Sequence, residues 1–95
     1  MYEWDPEKAA TNFEKHGVTF EEAASAFEYA PMTDRLDDRR DYGEMRIISI
    51  GFSAQRRFLT IVWTDRDGVR PIISARPAST EERKVYAQDH DISLG

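Results

Sequence analysis

Between Arg46 and Arg76 the chain carries three runs, RIISIGF, FLTIVWT and VRPIISAR, rich in β-branched and aromatic residues and parted by short polar segments. Three such strands in succession imply an antiparallel meander. Asp65-Arg66-Asp67-Gly68 marks the second turn, with Gly68 suited to a positive φ. Its loop length stays open. Three residues would set Arg70, Ile72, Ser74 and Arg76 on one face with Thr60, Val62 and Thr64; two or four would set them with Leu59, Ile61 and Trp63. The first is preferred because it groups polar with polar. Pro71 cannot donate to a ladder, so the third strand is expected at a sheet edge, or with that position facing outward.

Helices flank these strands. Asp5 is a cap, Pro6 suits the first helical position and Gly17 a left-handed stop, which predicts a helix over roughly residues 6 to 16. Thr19 and Glu22 stand in the capping-box relation and open a second helix, from about Phe20 to Glu28. Ala9, Phe13 and His16 share one face of the first helix, and Phe20, Ala23, Ala24 and Phe27 one face of the second. Ser79 with Glu82 forms another capping box and opens a third helix from about Thr80 to Gln88, after which DHDISLG reads as frayed. Tyr2 to Trp4 offers a first strand. Thr33 to Glu44 reads as a long loop with a short irregular strand near Met32 to Leu36. The fold class is therefore α+β: a small antiparallel sheet packed by two N-terminal helices and one C-terminal helix, in a single domain spanning residues 1–95.

Composition narrows the function. There are no cysteines and only two histidines, His16 and His90, which argues against disulfides, thiol catalysis and a metal site, so neither a metal nor a cofactor is expected. No apolar run approaches the roughly 20 residues that cross a bilayer, and the N-terminus lacks the pattern of a signal peptide; no membrane contact and a cytoplasmic location are expected. The net charge of −5 opposes indiscriminate nucleic-acid binding. It is unevenly spread: residues 1–45 hold 5 Lys/Arg against 12 Asp/Glu, and residues 46–84 hold 8 against 4. The basic part can meet phosphates while the acidic part meets a basic protein.

Taken in order, WDPEKAATNFEKHGVTFEEA, Gly51 within RIISIGF, and IISARPASTEERKVY resemble the BrnT family of toxins from bacterial type II toxin-antitoxin modules. The resemblance covers nearly the whole chain. It implies a RelE-like fold and an endoribonuclease that inhibits translation. It further implies neutralisation by a BrnA-like antitoxin, through which alone the complex touches operator DNA and represses its own promoter.

RNA brings its own nucleophile, the 2′-hydroxyl, so such an enzyme needs a base, an acid and positive charge at the phosphate, and no metal. Arg76, where ISAR runs into the turn, is the first choice for transition-state charge, although it can equally pair with Glu81 or Glu82 across the strand-helix joint. Arg46 and Arg70 each begin a strand with the parity to share a face with a neighbour of Arg76. His16 is the titratable candidate for general acid, and structurally it also suits a helix terminator. Lys15 points elsewhere on that turn, and the two are not expected in one site. Glu44 is the candidate base, Glu82 an arginine orienter or simply a cap, and Tyr86 a stacking platform or a core cover. Arg56 and Arg57 read as solvated, and Trp4, Trp63 and the phenylalanines as packing. A non-catalytic module acting only through its antitoxin partner is the alternative.

Overall fold

The computed structural model describes residues 1–38 and 43–92. Helix α1 spans Pro6–His16: Asp5 accepts the Glu7 amide, and Gly17, at φ 68, ends the helix as its N–H donates to Phe13 O at 2.8 Å. Helix α2 spans Phe20–Tyr29 and is capped by Thr19, whose hydroxyl accepts the Glu22 amide at 3.0 Å. Helix α3 spans Thr80–Asp89 behind a complete Ser79–Glu82 capping box. These ends are decided locally, and all three starts match the sequence reading.

Five strands form one mixed sheet: β1 (Tyr2–Glu3), β2 (Thr33–Asp37), β3 (Arg46–Phe52), β4 (Phe58–Trp63) and β5 (Arg70–Pro77), in the order β1-β5-β4-β3-β2. The predicted meander is β3-β4-β5. Strand β2 extends it antiparallel, whereas β1 runs parallel to β5. The short strand expected near Met32 to Leu36 is β2, and residues 39–42 of the loop expected after it lie outside the described residues.

The turn resolves the register question in an unexpected way. Asp67 and Gly68, at φ 54 and 87, make a two-residue turn closed by Arg66 and Val69. Near it Trp63 faces Ile72, the register of a short loop; a bulge between Val62 and Trp63 then moves the pairing by one residue, so that Ser74 faces Val62 and Arg76 faces Thr60. Both registers exist, one on each side of the bulge. Ile72 consequently enters the core, Arg70 leaves the polar face, and only Ser74 and Arg76 keep the preferred placement.

The edge expected at Pro71 is closed. Strand β1 covers it, with Glu3 opposite Pro71 and the Arg70 amide donating to Met1 O at 2.7 Å. The Thr64 amide donates to Pro71 O, so the donor that proline lacks faces β4, beside the bulge, where a broken ladder is tolerated. The edges of the sheet are β1 and β2.

Val18, Phe20, Ala23 and Ala26 pack on Leu59, Ile61, Trp63, Ile72 and Ala75 to form the core. Phe20, Leu59 and Ile61 are fully buried, each contributing about 2–3 kcal/mol. Helix α1 docks differently from its apolar pattern. Phe13 is 53% exposed and His16 is exposed, while Asn12 is buried. Its side-chain amide accepts from Ala75 N (3.1 Å) and donates to Ala75 O (2.7 Å) and Val18 O (3.0 Å), so it pairs with β5 much as another strand would.

Two other expectations change. Glu22 does not reach back to its cap but is buried under Arg57, whose fork donates at 2.6 and 2.7 Å and also reaches Gly17 O at 2.8 Å. Arg57 is therefore a tie between α2 and the β3-β4 turn rather than a solvated side chain. His90 does not fray: its ring lies 4.3 Å from that of Tyr86 and its Nε2 is 3.1 Å from the Thr33 hydroxyl, which donates to Asp89. Residues 93–95 of the expected tail lie outside the described residues. No helix among the described residues is long and apolar enough to cross a membrane.

Candidate functional site

The sheet has two unlike faces. Helix α2 and the core cover one, and α3 covers only one end of the other, where Tyr86 packs on Phe58 with ring centroids 5.2 Å apart. The registers place Arg76 and Ser74 of β5, Thr60 and Val62 of β4, Ile50, Ile48 and Arg46 of β3, and Thr33 and Arg35 of β2 on that second face. Among the described residues it carries three arginines on three strands, with the buried Asp37 of β2 directly opposite Arg46. Strand spacing sets the Cα atoms of Arg35 and Arg46 about 8 Å apart and that of Arg76 about 16 Å from each. Long guanidinium side chains can converge across such distances on a chain of phosphates.

Arg76 is pinned. Its Nη1 and Nη2 donate to the two oxygens of Glu82 at 2.7 and 2.8 Å, yet its side chain stays 44% exposed against 14% for Glu82. The guanidinium, helped by the Ser79 amide, lowers the Glu82 pKa to about 2 against the opposing effect of burial. Glu82 is both of the things its sequence position offered, a cap and a partner of Arg76.

Beside this face run two adjoining hollows between α1 and β5. The first, about 290 Å³, is lined by Glu44, Arg46, Arg66, Lys8 and Ile73 among others; the second, about 390 Å³, by Lys15, His16, Thr11 and Ser74; Asp5, Lys8 and Ile73 belong to both. Lys15 and His16 therefore open onto one hollow, contrary to the reading from helix spacing. Ser74 joins that hollow to the face of Arg76. Glu44 is engaged by Arg66 at 2.9–3.2 Å.

Two candidates lie elsewhere. Arg70 stacks over Phe27 (4.8 Å), Trp63 (5.3 Å) and Tyr2 (5.9 Å) on the core side, because the bulge turns that end of β5 over. Tyr86 is 4% exposed and its hydroxyl donates to Pro31 O at 2.7 Å; burial raises its pKa, and its ring is not open to a base. Sequence reasoning missed Arg35, whose parity with Thr33 was readable once the segment was treated as a strand. Its proximity to Arg46 was not readable, since that comes from pairing across the chain.

A core covered by α2 on one side of the sheet, and on the other a face whose exposed positions include Arg35, define a small α+β domain. The chain belongs to the family described as ribonuclease toxin, BrnT, of type II toxin-antitoxin system, which matches residues 4–82. It is a ribonuclease toxin of that class, with an antitoxin protein as partner. Its fold is similar to the 1.1 Å crystal structure of the ribonuclease toxin BrnT from Brucella abortus, with a TM-score of 0.56 and 24% identity, over 84% of this chain and 99% of that one. No protein with a curated description matches the sequence.

Proposed function

We propose that this toxin is an endoribonuclease that works in the cytoplasm without a metal, inhibits translation, and cleaves RNA laid across the open sheet face. The observation that carries this reading is the placement of Arg35, Arg46 and Arg76 together on the one face that the helices leave half uncovered. Arg76 stabilises the charge that develops on the phosphate, and Arg46 with Arg35 positions the strand. His16, from the second hollow, is the acid for the departing 5′-oxygen, and Glu44, beside Arg46, the base for the 2′-hydroxyl. Lys15 lends charge to the same path. Arg70 and Tyr86 take no part in this scheme.

A BrnA-like antitoxin neutralises the toxin by covering this face, or by adding a strand to β2, and carries the complex to its operator for autoregulation. The competing reading, a module that acts only through the antitoxin, draws on the net charge of −5 and on the neutralisation of Arg76 by Glu82. A trial with chelator present separates the two. Wild-type protein is expected to cut RNA in EDTA and Arg76→Ala to lose about 10²-fold or more, the scale of a lost oxyanion donor. Equal cutting by both removes Arg76 from the mechanism; no cutting by the wild type favours the non-catalytic module.

A further inference from the structure

Arg76 stands at the end of β5, just before Pro77, where a long side chain has many rotamers to choose from. Glu82 removes that freedom. It is the third residue of α3 and is itself held, because Oε1 accepts the Ser79 amide at 2.8 Å while the Ser79 hydroxyl accepts the Glu82 amide at 3.1 Å. The positive end of the helix adds to this grip on a carboxylate. A carboxylate fixed in place then fixes the arginine plane, since two parallel bonds from Nη1 and Nη2 allow the fork essentially one orientation.

Resting on the reading that Arg76 meets the scissile phosphate, we propose that Glu82 is a positioning residue: it pre-sets the Arg76 guanidinium for the transition state. It speeds the chemical step by fixing geometry, not by attracting RNA. The pair has no net charge, so it adds little long-range attraction for RNA, whereas a pre-aligned donor costs no reorganisation when charge develops on the phosphate. Removing the carboxylate charge should therefore split the kinetics. Binding of RNA should strengthen because a cation is unmasked, while the chemical step slows because the fork is loose.

The test is single-turnover cleavage of RNA by wild type, Glu82→Gln, Arg76→Ala and the double variant, each first checked for an unchanged circular dichroism spectrum. Glu82→Gln is expected to lower the maximal rate about tenfold or more, with half-saturation at an equal or lower RNA concentration and a steeper salt dependence. In the Arg76→Ala background the same change should alter the residual rate less than about twofold, because Glu82 acts through Arg76. Ser79→Ala removes one side of the cap but keeps the ion pair, and should stay within about twofold of wild type. A Glu82→Gln rate near that of wild type overturns the proposal while leaving Arg76 in place. So does an equal loss whether Arg76 is present or absent, or a Ser79→Ala loss as large as that of Glu82→Gln, either of which returns Glu82 to a helix-end role. If Glu82→Gln does not fold, Glu82→Asp, too short to reach both nitrogens, should show a partial rate loss with unchanged half-saturation, and an unaltered rate refutes the proposal. Failure of the underlying reading looks different: Arg76→Ala would then cut like the wild type.

Discussion

Helices α2 and α3 open with the same local motif, Thr19 with Glu22 and Ser79 with Glu82, and put the third-position carboxylate to opposite uses. Glu22 leaves its cap and takes the Arg57 fork and the Ser53 hydroxyl, so a 5% exposed carboxylate ties α2 to the β3-β4 turn. Glu82 keeps its cap and holds Arg76 on the open face. The motif only guarantees an oriented carboxylate at a helix start. Which arginine it meets, and whether that arginine closes the core or faces solvent, depends on the sheet beneath.

The contrast predicts a double dissociation. Arg76→Ala should lose about 10²-fold of RNA cleavage while its melting temperature falls by no more than about 4–8 °C, because removing one member of a partly exposed pair costs about 1 kcal/mol or less. Arg57→Ala should do the reverse. It leaves Glu22 buried without its cation and should cost about 2 kcal/mol in urea unfolding, below the range for fully buried pairs because Arg57 is 40% exposed. Cleavage per folded molecule should be unaltered. If Arg57→Ala abolished activity in folded protein, the division into a structural and a functional pair would be wrong.

Smaller changes sharpen the comparison. Thr19→Ala and Ser79→Ala should each cost about 1 kcal/mol of stability, the ordinary worth of a cap, and about equally, since both hydroxyls accept one amide. At neutral pH the last effect is absent. Both carboxylates titrate below their ordinary value, so the stability they add is complete above the unfolded-state value of about 4.5 and is lost in acid, for Glu82 as pH falls toward about 2. Acid unfolding of Glu82→Gln should show a shallower slope across that window. An identical slope would mean that Arg76 does not hold Glu82 in solution.

How much of this was legible beforehand follows the range of the forces involved. Asp5, Pro6, Gly17, Thr19 and Ser79 act on amides a few residues away, and the helix starts they predict are the observed ones. Arg76 opposite Thr60 was readable from polar parity. His90 was misread because a chain end looks frayed unless one knows that Thr33 lies beside it. Arg70 was misread because one inserted residue, Ile73, reverses parity, and no periodicity announces a bulge. Asn12 carries no apolar signal, and its value comes from the backbone of Ala75, 63 positions further on.

The sequence by itself determined the helix ends, the three central strands, the uneven charge and the family. These are properties of neighbouring residues, or of order along the chain. Only the tertiary structure decided that β1 shields Pro71, that Arg35, Arg46 and Arg76 share a face, and that Arg57 rather than Arg76 goes to the closed side. The physical reason is that strand pairing has a period of two, so a single displaced residue exchanges inside for outside. A carboxylate, likewise, pairs with whichever cation the fold brings within reach.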